Sequence, residues 1–140
     1  YMGDMSRVFS IGRLPEQAYT AHQTCIEIQE EIAAMAKPGT VCEDMYNKAI
    51  EIVTKAGFAD YFMGVDQKAK FIGHGIGLEI NEMPVLAPRM KQELEPGMVF
   101  ALEPKIVLPG IGPVGIENSW AVTTDGLEKL TLCKEEIIEL

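Results

Sequence analysis

The chain has 140 residues, 47% of them hydrophobic, which is enough to bury the core of one globular domain. Acidic residues outnumber basic ones by 21 to 12, and the net charge of −9 opposes binding to nucleic acid or to an anionic membrane surface. Because the sequence also lacks a membrane-spanning apolar run and a signal-peptide pattern, we expect a cytoplasmic protein.

The first residues, 1–10, have the pattern of a strand rather than of a frayed tail, although the chain begins with Tyr1 and not with Met. We therefore expect a piece of a larger protein. Asp4 lies inside this predicted strand. Since an aspartate so close to a terminus is ordinarily solvated, Asp4 taken alone predicts no site.

Two helices are predicted next. Apolar residues recur at spacings of three and four over residues 15–37, and Pro38 with Gly39 ends this first helix. Thr40 and Glu43 have the spacing of a capping box, which predicts the start of a second helix. Gly57 is the expected end of that helix.

Several reactive side chains outside the later motifs are interpreted as structural. Cys25, Cys42 and Cys133 are odd in number and lack paired-ligand spacing, so we expect reduced cysteines that fill space. His22 lies among polar neighbours and is predicted to be a surface residue. Trp120 is better explained by core packing than by a cofactor pocket.

From residue 61 onward, short apolar segments punctuated by glycine and proline predict strands. Residues 98–104 and 114–122 are two such strands, and a hairpin centred on Gly110 would place Glu103 opposite Glu117. Directly opposed side chains have Cβ atoms roughly 4.5–5.5 Å apart, where like charges need a cation or a shared proton between them. The alternative, that the register differs and both glutamates face solvent, stays open at this point.

A second motif is the alternation of Gly73, His74, Gly75 and Gly77. The glycines leave one face of an extended segment bare, which permits close approach of a ligand or of another backbone. Neither a dinucleotide-binding spacing nor a phosphate-loop spacing is present. A single histidine such as His74 is more often structural than a ligand.

Taken together, the motifs resemble those of the pita-bread metallopeptidases, the group that contains prolidase, aminopeptidase P and methionine aminopeptidase. The order and the spacing of four blocks match: Asp4-Met5-Ser6-Arg7, residues 72–84, Ala101-Leu102-Glu103-Pro104 and Gly115-Ile116-Glu117-Asn118. The resemblance implies an incomplete pita-bread fold of the α+β class, with two helices on a curved, mainly antiparallel sheet. Residues 1–140 would be the C-terminal part of the catalytic domain.

The resemblance also implies a metal centre. In this family two divalent ions are held by two aspartates, one histidine and two glutamates. Asp4 would be the second aspartate and a bridge between the ions, His74 and Glu103 would bind only the second ion, and Glu117 would bridge both. The first aspartate would lie upstream of Asp4, so we expect this chain to hold one ion or none. Manganese, cobalt, zinc and iron all suit such ligands.

The implied activity of the intact parent protein is metal-dependent hydrolysis of N-terminal peptide bonds in short peptides, as in Xaa-Pro aminopeptidases and dipeptidases, and we expect the 140-residue chain itself to be impaired. Glu103 would shuttle protons, and His74 and Asn81 would complete the catalytic set. Asn81 departs from the family, which usually has a histidine that contacts the scissile carbonyl, and Lys70-Phe71 stands where prolidases often have His-Gly. Asparagine can still donate a hydrogen bond, but unlike histidine it cannot take up a proton or carry a positive charge.

Two other functions therefore stay open. One is a creatinase-like hydrolase or lyase that acts on a small non-peptide substrate. The other is a non-catalytic fragment. In either case we expect homo-oligomers or self-association through an exposed sheet.

Overall fold

Two helices and nine short strands make up the computed structural model, which describes all residues 1–140. Helix α1 covers Glu16–Met35 and helix α2 covers Cys42–Lys55, and a single 3-10 turn follows at Ala59–Tyr61. The strands are β1 (Phe9–Ser10), β2 (Gly73–Gly75), β3 (Glu82–Leu86), β4 (Val99–Leu102), β5 (Lys105–Leu108), β6 (Gly112–Gly115), β7 (Asn118–Val122), β8 (Leu127–Lys129) and β9 (Ile138–Glu139). Helices precede sheet, as the sequence pattern predicts.

The main sheet is antiparallel, with the strand order β3-β2-β4-β7-β8. Strands β5 and β6 form a separate hairpin, and β1 pairs with β9 in parallel. The helices pack against this framework around one apolar cluster. The predicted α+β architecture, two helices on a mainly antiparallel sheet, is confirmed.

Helix α1 buries the face that its apolar spacing predicts. His22 on this helix is the exception, since it is only 2% exposed and its Nε2 atom lies 2.7 Å from the carbonyl oxygen of Glu135. The prediction of a surface histidine is therefore wrong. Its polar neighbours in sequence do not show that the distant C-terminal segment covers this part of the helix.

Helix α2 begins without the predicted capping box. No side chain caps its first turn; instead Thr40 Oγ1 accepts a hydrogen bond from the Lys37 N–H, and the Glu43 carboxylate accepts one from the Arg89 N–H. The first amides of the helix are bonded over long range, because the Cys42 and Glu43 N–H groups donate to carbonyls of the segment at residues 90–92. Tertiary backbone bonds thus replace the local cap.

The cysteines are all free, as predicted, and no pairing is formed. Cys25 and Cys42 are buried, and burial raises the pKa of the Cys42 thiol to about 11. Cys133 is exposed, so its interpretation as a space-filling residue is wrong. Trp120 packs in the core as expected, with 5% of its surface exposed.

Apolar side chains remain on the surface where β1 and β9 pair. Phe9 is 60% exposed, Ile11 is 96% exposed and Leu140 is 77% exposed, and the Gly12 N–H donates to the Leu140 carbonyl at 3.2 Å. These residues lie close together at the ends of the chain.

Neither helix combines the length and the apolar character needed to cross a lipid bilayer.

Candidate metal centre

The two candidate glutamates occupy the junction between two strand ladders. Glu103 directly follows β4 and Glu117 directly precedes β7. The β4–β7 ladder and the β5–β6 ladder share one register, which places Glu103 opposite Glu117 and centres the hairpin on Gly110. The predicted register is therefore correct, although each predicted strand is interrupted at its glutamate.

His74 lies in the middle of β2, between Val85 of β3 and Ala101 of β4. Its side chain is 7% exposed, and Nε2 lies 3.4 Å from Glu103 Oε1 and 3.9 Å from Asp4 Oδ2. The imidazole thus lies between two carboxylates that are far apart in the sequence.

The glycines around His74 allow neighbouring backbone to approach. A Cβ atom on Gly73 would lie 2.4 Å from the Ala101 carbonyl oxygen, and one on Gly75 would lie 2.1 Å from that of Met83. The sequence left open whether these glycines admit a ligand or another backbone segment. Close approach of backbone accounts for both Gly73 and Gly75. These contacts fix where His74 lies in the sheet.

Asp4 lies outside any regular strand, so the prediction of a strand around it is wrong. Its backbone is held by one side chain, because the Asp4 N–H donates to Ser119 Oγ at 3.3 Å and that hydroxyl donates to the Asp4 carbonyl at 2.8 Å. Two residues later, Ser6 and Glu117 exchange backbone hydrogen bonds of 3.2 Å in both directions. The segment around Asp4 is therefore positioned by bonds to Ser119 of β7 and to Glu117, which precedes β7, rather than by regular strand pairing.

Three of the predicted ligands come together as one compact group. Ligand atoms of Asp4, His74 and Glu117 all lie within 4.8 Å of one another. Glu103 lies beside this group: its Oε1 atom is 3.4 Å from His74 Nε2, and its Oε2 atom is 2.9 Å from Lys105 Nζ. Glu103 and Glu117 also line a cavity of about 250 Å³ that lies between residues 6–8 and the β5–β6 hairpin.

Electrostatic strain is concentrated on Glu117. Burial raises the pKa of this carboxyl above its ordinary value, and the carboxylates of Glu103 and Asp4 raise it further. A hydrogen bond from the Ser6 hydroxyl to Glu117 Oε2, 2.7 Å long, and the nearby His74 oppose this rise. A cation at this place would relieve the repulsion among the carboxylates.

The donor set fits a divalent metal ion. His74 Nδ1 lies 3.1 Å from the Gly75 carbonyl oxygen, so a proton on Nδ1 satisfies that carbonyl and leaves the Nε2 lone pair facing Asp4 and Glu103. A lone pair that faces carboxylates is unfavourable unless a proton or a metal ion lies between them. Metal-ligating histidines have this arrangement, in which the second ring nitrogen bonds a backbone carbonyl.

Asn81 lies near His74 but outside the ligand group. Both residues line a pocket of about 330 Å³ whose other walls are Phe71, Glu82, Met83 and Val85. The Phe71 ring packs edge-on against the imidazole, with ring centroids 6.3 Å apart. The pocket is mostly apolar and opens next to the candidate ligands.

Sequence reasoning missed three polar residues that support the group. Ser6 bonds the Glu117 carboxylate, and Lys105 pairs with Glu103. The Arg7 guanidinium donates to the Glu117 carbonyl and to Asn118 Oδ1, each at 2.8 Å. Their nearness to the motif aspartate and glutamates in sequence is the only signal that could have identified them.

Comparison with known proteins relates this geometry to a family. Residues 1–124 match metallopeptidase family M24. The chain is 32% identical over 138 residues to an Xaa-Pro dipeptidase of Pyrococcus furiosus, covering 99% of this chain and 38% of that relative. An Xaa-Pro dipeptidase of Lactobacillus helveticus is 34% identical over 131 residues, which is 94% of this chain and 34% of the relative.

Solved structures agree on the fold. The structure of an X-Pro aminopeptidase from Thermotoga maritima superimposes with a TM-score of 0.89 and 31% sequence identity, covering 98% of this chain and 37% of that one. The predicted pita-bread fold is thereby confirmed, as is its incompleteness, because the chain spans well under half the length of the relatives it matches. On the family match and on these similarities, the chain belongs to metallopeptidase family M24.

Proposed function

We propose that this chain is the C-terminal part of the catalytic domain of a metal-dependent hydrolase that cleaves N-terminal peptide bonds, in the manner of Xaa-Pro dipeptidases and aminopeptidases. The observation that carries the proposal is the group of Asp4, His74 and Glu117, whose ligand atoms lie within 4.8 Å of one another beside Glu103. Relatives named Xaa-Pro dipeptidase support the reaction class.

In this proposal Asp4, His74, Glu103 and Glu117 would hold the metal. A bound divalent ion would lower the pKa of its water and polarise the scissile carbonyl. Mn²⁺, Co²⁺, Zn²⁺ and Fe²⁺ suit three carboxylates with one imidazole. His74 would supply Nε2 while its Nδ1–H is held by the Gly75 carbonyl.

In this proposal Glu103 would be the residue that moves a proton. Its Oε1 atom lies next to the His74 imidazole, and its Oε2 atom accepts a hydrogen bond of 2.9 Å from Lys105 Nζ. A carboxylate that is oriented by one cation and partly exposed to solvent can accept a proton from water and return it to a leaving amine. The hydrogen bond from Lys105 Nζ to Oε2 would hold this carboxylate in position while it does so.

The short peptide would lie in the pocket shared by His74 and Asn81. Asn81 is exposed and borders that pocket, so its amide can donate a hydrogen bond to a carbonyl or to an oxyanion of the substrate. The apolar walls Phe71, Met83 and Val85 would exclude water from the adjoining side chain. Because Asn81 cannot take up a proton as a histidine does, a creatinase-like reaction on a small non-peptide substrate is the second candidate.

The test is hydrolysis by the purified protein loaded with Mn²⁺, Co²⁺ or Zn²⁺. Xaa-Pro dipeptides, dipeptides without proline, longer Xaa-Pro peptides and creatine would be compared, with chelator-treated protein as the blank. Metal-dependent release of proline that is lost in Glu103→Gln and retained in Glu128→Gln supports the proposal; Glu128 is an exposed residue of β8 that lies outside the site. Turnover of creatine alone would favour the second candidate, and metal-independent release of proline would refute the metal mechanism.

A further inference from the structure

The side-chain amide of Gln29 connects helix α1 to the backbone beside both candidate glutamates. Gln29 is 1% exposed. Its Nε2 group donates to the Leu102 carbonyl at 2.6 Å and to the Ile116 carbonyl at 3.2 Å. These two carbonyls belong to the residues directly before Glu103 and Glu117. One rigid amide group therefore holds the backbone next to both carboxylates.

The second bond has a specific cause in the sequence. The Ile116 N–H donates to the Pro104 carbonyl at 3.3 Å, and in an antiparallel pair of this kind the opposite residue would donate back. Residue 104 is a proline and has no N–H to donate. The Ile116 carbonyl would lack this strand partner inside the protein, and Gln29 supplies the missing donor.

The acceptor end of the amide is also fixed. Gln29 Oε1 accepts a hydrogen bond of 2.9 Å from Trp120 Nε1, and the Asn118 amide lies 3.5 Å away. Because Oε1 is bonded to an indole that is itself packed in β7, the amide cannot rotate to exchange its two ends. Both donor hydrogens stay directed at the two carbonyls.

We propose that Gln29 is a positioning residue for the metal centre. It holds the separation between Glu103 and Glu117 by bonding the peptide groups that precede them, at the place where proline interrupts the ladder. The residue touches neither metal nor substrate, so its role is exerted through the backbone of the two glutamates. The inference rests on the proposed metal binding.

The experiment measures Mn²⁺ affinity of the full chain by calorimetric titration. Gln29→Met keeps the volume and removes the amide, and we expect at least a tenfold loss of affinity, in the range of 10–100-fold that is typical when a group supporting metal ligands is removed. Ile32→Ala, one turn further along the buried face of α1, is the control for lost stability. It should lower the melting temperature to a comparable extent and leave Mn²⁺ affinity within twofold.

A rescue variant separates the bond from general packing. Pro104→Ala restores an N–H opposite Ile116, so the double variant Gln29→Met/Pro104→Ala should regain part of the lost affinity, a coupling that a double-mutant cycle detects. If Gln29→Met does not fold, Gln29→Asn, which keeps the amide but cannot reach both carbonyls, takes its place in the same cycle.

The outcomes are distinct from those of the proposed function. If the unmodified chain binds no Mn²⁺, the metal proposal itself fails. If it binds and the Gln29 variant binds equally well, or if Ile32→Ala loses as much affinity as Gln29→Met, the positioning role is overturned. Absence of rescue by Pro104→Ala would refute the part assigned to the proline.

Discussion

Replacing Glu117 by glutamine should stabilise the metal-free protein. Glu117 is 7% exposed and shares its surroundings with Asp4 and Glu103, which raise its pKa in addition to the effect of burial. Glutamine removes the charge, and its side-chain oxygen can still accept the 2.7 Å hydrogen bond from the Ser6 hydroxyl. The change therefore removes repulsion with little loss of bonding.

The size of the effect follows from the geometry. Ligand atoms of Asp4 and Glu117 lie within 4.8 Å. Two unit charges at that separation repel by about 3.5 kcal/mol at an effective dielectric constant of about 20. The nearby His74, which lowers the pKa of Glu117, offsets part of this repulsion, so we expect a net gain of about 1–2 kcal/mol. For a domain of this length, that is a rise in melting temperature of roughly 3–7 °C.

The gain should depend on pH in a defined direction. The pKa of Glu117 is higher in the folded chain than its ordinary value of 4.5, so the unfolded chain loses the proton first as pH rises. The penalty carried by Glu117 is absent well below pH 4.5 and complete above its raised pKa. The stabilisation by glutamine should therefore be largest at neutral pH and disappear in acid.

Manganese should reverse the order of stability. A ligand that binds only the folded state at 100 times its Kd adds about 2.7 kcal/mol, and the variant, with one charged ligand fewer, gains less. Thermal unfolding with and without Mn²⁺ is the assay, and Glu128→Gln is the matched control, because residue 128 is exposed on β8. Two results would refute the reasoning. In one, Glu117→Gln without metal is no more stable than the unmodified chain; in the other, Mn²⁺ stabilises the variant as strongly as the unmodified chain. Either result would show that these carboxylates do not form a strained metal site.

The remaining predictions concern other parts of the chain. Burial lowers the pKa of His22, and the charge of Arg7 lowers it further, so the unfolded chain takes up a proton before the folded chain does. The free energy of unfolding should therefore fall as the pH drops below about 6.5. His22→Gln should flatten this pH dependence in urea titrations at about pH 5–7, and an unchanged pH dependence would contradict the prediction. Gly75→Ala would place a Cβ atom 2.1 Å from a backbone oxygen and should lower the free energy of unfolding by more than about 2 kcal/mol. Gly126 has open space around it, so Gly126→Ala should change the free energy of unfolding by under about 1 kcal/mol in the same denaturant assay. In the intact parent protein, Asn81→His should raise the rate on Xaa-Pro peptides at unchanged metal content, and an equal or lower rate would favour the non-peptide reaction. Sedimentation should show self-association that Ile11→Ser weakens, since Ile11 is 96% exposed; a monomer at high concentration would refute this expectation.

Sequence by itself determined the helices, the order of helices and sheet, and the register of the central hairpin. These features depend on local periodicity and on a turn whose centre, Gly110, is visible in the sequence. A hairpin centred there predicts Glu103 opposite Glu117, and the structure has this register rather than the alternative that the sequence left open. The family resemblance added Asp4 and His74 to the candidate ligands, and the structure brings both to the same place.

Only the tertiary structure decided how those residues are supported. The burial of His22, the replacement of the capping box by bonds to residues 90–92, and the bonds of Gln29 all join segments far apart in the chain. Such contacts leave no periodic signal, because a hydrogen bond depends on positions in space rather than on spacing in sequence. The missing N–H of Pro104 is visible in the sequence, but the residue that compensates for it is 75 positions away and becomes identifiable only when α1 packs on the sheet.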